Sequence, residues 1–178
     1  MIAYNKTWLA NLRLQQQVKN HGEISDSDFK GITEKYPVSF YMPNIFVRVG
    51  LFILTSIIVL FVDGLLSLMA ADSGMIESAG WFIFLGSLSY GGLEVMVISK
   101  DHYRSGVDDA LLFTTGGLFT ISFYLIMGNG AYHIDLLAFS ILVCLLTLYF
   151  TLRFGDMLAS AVCYGSFLWM IFLFCIRN

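Results

Sequence analysis

The stretch Ile45–Leu68, IFVRVGLFILTSIIVLFVDGLLSL, decides the fold: 24 residues with only Arg48 and Asp63 charged. A helix rising about 1.5 Å per residue needs roughly 20 apolar residues to cross a hydrocarbon layer of about 30 Å, so this stretch is long enough to span one. Four more stretches of this kind follow, over about 80–99, 108–127, 134–152 and 157–176. The sequence is therefore expected to form an all-α polytopic bundle of five transmembrane helices. The whole chain agrees with its parts, being 57% hydrophobic and 13% charged, with a mean hydropathy of +0.74. A soluble domain is about 25% charged.

Residues 1–43 differ from the rest, 44–178, in being polar. An apolar side at Trp8, Leu9, Leu12 and Val18 predicts a helix over about 7–19, ended by Gly22. Ser25 followed by Asp28 has the spacing of a capping box, and Phe29 with Ile32 gives a second short helix an apolar edge until Pro37. A cytosolic helical hairpin is expected, packed on itself, on the membrane surface through Phe40, Tyr41 and Phe46, or on a partner. The amino terminus lacks the apolar core of a secretory signal, so insertion is expected to rely on the first internal span.

Short connectors between spans make neighbours antiparallel, and Lys and Arg then sort by side. Lys6, Arg13, Lys19, Lys30, Lys35, Arg48, Lys100, Arg104 and Arg153 fall on one side, and Arg177 alone on the other. Such a bias predicts a cytoplasmic N-terminus and an outward C-terminus. Trp81, Tyr132 and His133 fit the outer interface; Tyr36, Tyr41, Tyr103 and Tyr149 fit the inner one.

Charges inside spans are costly and need a reason. Glu94 lies about five residues from the inner end of the second span, on a face with Ser87, Gly91 and Ile98, where Ser87 and Gly91 form a small-residue step suited to helix contact. Arg48 enters the first span at a similar depth. The two are expected to form an ion pair locking consecutive helices, in preference to a proton or cation site on Glu94 with Tyr90 and Asp63 along a path. Asp63 itself is expected at the outer interface.

The loop KDHYRSGVDDALL, residues 100–112, gathers Lys100, His102, Arg104, Asp108 and Asp109. Its ordinary reading is anchoring and capping. Lys100 and Arg104 hold the loop inside, Ser105 with Asp108 begins the third span, Gly106 permits a tight turn, and Arg104 can pair locally with Asp108. His102 and Tyr103 are not explained by these roles. No catalytic constellation, metal site or cofactor is expected: three histidines and three cysteines (Cys144, Cys163, Cys175) lack ligand spacing, and no phosphate-binding glycine pattern surrounds Gly91–Gly92 or Gly116–Gly117, which read as close helix contacts. GNG at 128–130 reads as a turn. No basic stripe suits nucleic acid.

YNKTWLANLRLQQQV, YPVSFYMPNIFVRVGLF and YRSGVDDALL, in that order over roughly the first 115 residues, resemble a family of bacterial integral membrane proteins, found especially among Bacteroidetes-like bacteria. Members can be longer, with further spans. The resemblance implies an inner-membrane location and supplies no catalytic residues. HGEISDSDFKGI separately resembles the Gly-x-Ile-Ser/Thr-x-x-x-Phe pattern of small helical hairpins on bacterial membrane proteins, which implies self-association. The favoured expectation is a non-enzymatic membrane scaffold or accessory subunit, in contact with the bilayer and self-associating or bound to another membrane protein. A small ion- or proton-coupled transporter using Glu94 is the second reading, and an enzyme at the inner interface, using His102, Arg104, Asp108 and Asp109, the third.

Overall fold

The computed structural model describes residues 4–21, 25–41, 43–99, 104–128 and 136–177. Among them the architecture is all-α: α1 (Lys6–His21) and α2 (Asp26–Lys35) precede five long helices, α3 (Ile45–Met69), α4 (Ala79–Ser99), α5 (Val107–Gly128), α6 (Leu136–Phe154) and α7 (Met157–Arg177). All five are long and apolar enough to cross a membrane. Two short 3-10 turns, Ala71–Ser73 and Met75–Glu77, link α3 to α4, with Gly74 between them in the left-handed region.

α4 and α5 pack along each other at the centre, α3 lies on α5, and α6 lies on α5 while pairing with α7. α3 is the most apolar of the five spans, yet the one residue it buries is Asp63. The physics is that of a bilayer: leucine and isoleucine gain nothing by leaving lipid for protein, whereas a carboxyl does. Accordingly Ile53, Leu54, Ile57 and Leu60 remain more than half exposed.

The buried stripe of α4 is Trp81, Leu85, Gly86, Ser89, Leu93 and Val97. This corrects the expected contact face, since Ser87, Gly91 and Ile98 are exposed. The small residue that matters is Gly86, where a Cβ would lie 3.2 Å from the Phe119 ring and 3.4 Å from the Leu118 side chain. Of the paired glycines, Gly92 faces Leu111 and Gly116 faces Phe150, while Gly91 and Gly117 meet nothing. Each pair therefore contributes one contact residue, because adjacent positions on a helix point about 100° apart.

The N-terminal hairpin is tied to itself and to the bundle. Asn11 Nδ2 donates to the Pro37 carbonyl at 3.0 Å and Gln15 Nε2 to the Tyr36 carbonyl at 2.8 Å. Tyr4 and Phe40 belong to one buried cluster with Leu93, Phe150, Phe154 and Ala159, and Trp8 packs edge-on against Phe40. Phe40 thus serves the core and not the membrane surface; Tyr41 and Phe46 stay exposed. Ser25 is the N-cap of α2, but its hydroxyl meets Ser27 and makes no capping bond, so the expected capping box does not form there.

Candidate functional site: charged groups within the spans

Asn44 caps α3, its side chain accepting from the Val47 N–H at 2.9 Å, which sets Arg48 on the first turn facing α5. Arg48 donates through Nη2 at 2.6 Å and Nε at 3.0 Å, both to Asp109 Oδ2. The preceding residue does different work. Asp108 accepts from the backbone N–H groups of Arg104 and Ser105, each at 2.8 Å, and from the Ser105 hydroxyl at 2.9 Å. The Asp108 carboxylate thus closes the turn before α5 and supplies one half of the expected S-x-x-D start, the Ser105 N–H and hydroxyl both donating to it. Arg104 meets Asp108 through its backbone N–H in this arrangement. Between cap and helix, Gly106 has φ +92°, and a Cβ there would overlap the Arg48 carbonyl oxygen and lie 3.0 Å from the Phe52 nitrogen. The loop touches the α3 backbone, and no other residue fits.

Glu94 has a different partner from the one expected. Arg153, from the last turn of α6, donates through Nη2 to both carboxylate oxygens at 3.0 Å and through Nε to Oε1 at 3.1 Å. Tyr90, one turn earlier on α4, donates its hydroxyl to Oε1 at 2.5 Å and meets the Tyr149 hydroxyl of α6 at 2.6 Å. The Arg48–Glu94 pair is therefore replaced by two pairs, Arg48–Asp109 and Arg153–Glu94. The cause is lateral: α3 lies on α5, and Glu94 faces α6. Glu94 accepts four hydrogen bonds, three at Oε1 and one at Oε2.

Asp63 is the contrast. It is 8% exposed, and its Oδ2 has no hydrogen-bond partner. One turn further out, Trp81 Nε1 donates to Ser67 Oγ at 3.0 Å, tying α3 to α4. Asp63 thus faces into the bundle. Thr115 on α5 is fully buried, with Oγ1 also lacking a partner. Arg48 opposite Asp109 and Phe52 opposite Phe113 set the parallel register of α3 on α5. In that register Thr115 is level with Leu54, about 13 Å from the depth of Asp63 at 1.5 Å per residue. The two polar groups do not make one site.

Lys100, His102, Tyr103, Tyr132 and His133, and the turn at 129–130, lie outside the described residues. Cys144 and Cys163 face each other across α6 and α7, each sulfur near the other's backbone carbonyl at 3.9 and 3.8 Å. Among the described residues no three His, Cys, Asp or Glu side chains gather as metal ligands. Sequence reasoning missed Arg153 as a partner of Glu94, and Tyr149 and Asp156 as polar groups with defined partners. Asp156 accepts from the Ala159 N–H at 2.8 Å as α7 begins, after Gly155 in the left-handed region. An Asp directly before an apolar run was the available signal. No family model, curated protein or solved structure matches the chain.

Proposed function

We propose that the protein is a non-enzymatic membrane scaffold or accessory subunit of the bacterial inner membrane, with a cytoplasmic N-terminus and an outward C-terminus. The observation that carries this reading is the engagement of Glu94: both its oxygens are held by Arg153, and one also by Tyr90. The acid that a transport path would need most is used to fasten α4 to α6. Arg48 fastens α3 to α5 in the same way. Ion pairs between helices specify which helices are neighbours. What this frame presents outward is apolar helix surface and a docked hairpin, the equipment for meeting a second copy or another membrane protein. The nine-to-one distribution of Lys and Arg supports the orientation.

Native mass measurement of the purified protein in detergent, with cross-linking in membranes, tests the proposal. A defined oligomer, or a stoichiometric membrane partner recovered with it, is the expected result; a monomer without any partner in the cross-linked membrane would contradict it. A C-terminal reporter active only in the cytoplasm would overturn the orientation.

A second reading, a small proton- or ion-coupled transporter, is favoured by one observation, the buried and unpartnered Oδ2 of Asp63. It moves the candidate residue from Glu94 to Asp63. Proton-driven uptake into vesicles that is abolished by Asp63→Asn, with assembly intact, would establish transport in place of the scaffold.

A further inference from the structure

Two thiols meet midway along the α6–α7 pair. Cys144 lies near the centre of α6 and Cys163 in the first half of α7, both half-buried. The Cys144 Sγ is 3.9 Å from the Cys163 carbonyl oxygen, and the Cys163 Sγ is 3.8 Å from the Cys144 carbonyl oxygen. Together the two contacts fix the level of the pair. On a helix, side chains lean toward the N-terminus while carbonyls point toward the C-terminus. α6 and α7 run antiparallel, so each sulfur leans in the same direction as the carbonyl it meets. Reciprocal contacts of this kind require the two cysteines to stand opposite each other at one depth. The two thiols also interact with each other directly.

A disulfide is the chemistry that this placement favours. Its sulfur–sulfur bond is about 2.05 Å long and needs facing side chains with Cα atoms within roughly 7 Å. Sulfurs already in contact across a helix seam reach that length by side-chain rotation and a small approach of the backbones. A soft metal ion on two thiolates would instead place net charge among apolar span residues, and no group of three ligands exists among the described residues. A disulfide is neutral and has no hydrogen-bond donor to satisfy. Cys175 is exposed and lies about 18 Å from Cys163 along α7 at 1.5 Å per residue, too far for it to compete.

The position also gives such a bond leverage. α7 packs chiefly on α6, and the two are joined in sequence only through Gly155 and Asp156 at one end. A covalent link midway along α6 would hold α7 at a second point.

We propose that Cys144 and Cys163 form a redox latch, in which an intramolecular disulfide locks α7 onto α6 and its reduction frees the two helices to shift. Closing the latch joins the sulfurs as each thiol gives up one proton and one electron to a lipid-soluble oxidant. That oxidant is a quinone leaving as its hydroquinone, or a pair of chelated copper(II) ions leaving as copper(I) while the protons pass to water. A dithiol reductant reverses the step and is itself oxidised to the disulfide.

The test treats the full chain in membranes with copper(II)–phenanthroline, alkylates the thiols left free, digests without reductant and reads the peptides by mass spectrometry. The unaltered chain and Cys175→Ser are both expected to give a linked peptide pair holding Cys144 and Cys163, with Cys175 alkylated in the former. Cys144→Ser and Cys163→Ser should give no link within the chain. In micelles the oxidised chain should unfold about 5 °C or more above the reduced one, and dithiothreitol should abolish the difference. Cys144→Ser should show no such shift. The proposal is overturned if Cys144 and Cys163 both remain open to alkylation after oxidation of the unaltered chain, or if they link chiefly to Cys175 or to a second copy. A Cys144–Cys163 link that leaves the unfolding midpoint unchanged would also overturn it, since the bond would then lock nothing.

Discussion

The end of the bundle that carries the N-terminal hairpin and the half beyond it treat acids in opposite ways. At the hairpin end Asp109 and Glu94 each have an arginine from another helix, and Asp108 is bonded to the backbone of the turn before α5. In the other half Asp63 is buried, and its Oδ2 has no partner. The supply of basic residues explains the difference. Lys and Arg gather at the hairpin end, so an acid there finds a cation, whereas Arg177 is the one basic residue that the order of the spans assigns to the opposite end. The hairpin end is thus built as a clasp, and the other half holds a buried carboxyl with an unpartnered oxygen.

The largest effect that would break this contrast is at the clasp itself. Gly106→Ala forces a Cβ onto the Arg48 carbonyl at a φ that alanine resists, which should cost about 3 kcal/mol or more and prevent accumulation in membranes. Immunoblotting of membrane fractions checks this. Next comes Glu94→Gln or Arg153→Gln, each leaving a charge among apolar helices and costing roughly 2–3 kcal/mol; thermal unfolding followed by circular dichroism in micelles would read it. Arg48→Gln should cost less, on the order of 1 kcal/mol by the same assay, because Arg48 sits in the first turn of α3, where water and headgroups screen what remains. Asp63→Asn should change stability least, within about 0.5 kcal/mol, since no hydrogen bond to Oδ2 is lost. A large loss from Asp63→Asn would erase the contrast between the two halves.

The helices themselves were legible because hydrophobic length is a one-dimensional property. α3 begins at Ile45 as expected, and the other spans fall within about two residues of the expected bounds. The cap at Ser105–Asp108 was also legible, since its partners are three residues apart. The partner of Glu94 was not. Depth could be counted along each span, and Arg48 and Arg153 both had a suitable one; choosing between them required knowing which helix lies beside α4, which hydropathy does not encode. The buried face of α4 failed to show for a related reason. In lipid an apolar stripe does not mark the inside, so Ser87 and Gly91 looked as suitable for contact as Gly86 and Ser89.

The central claim is that Glu94 is a fastening between α4 and α6, and a double-mutant cycle with Arg153 tests it most directly. Unfolding midpoints would be measured for the unaltered protein, Glu94→Gln, Arg153→Gln and the double variant under one detergent condition. A fastening requires both single variants to be strongly destabilised and the double to be no worse than either, with a coupling of at least about 1 kcal/mol. Additive losses with no coupling, or single variants as stable as the unaltered protein, would contradict it.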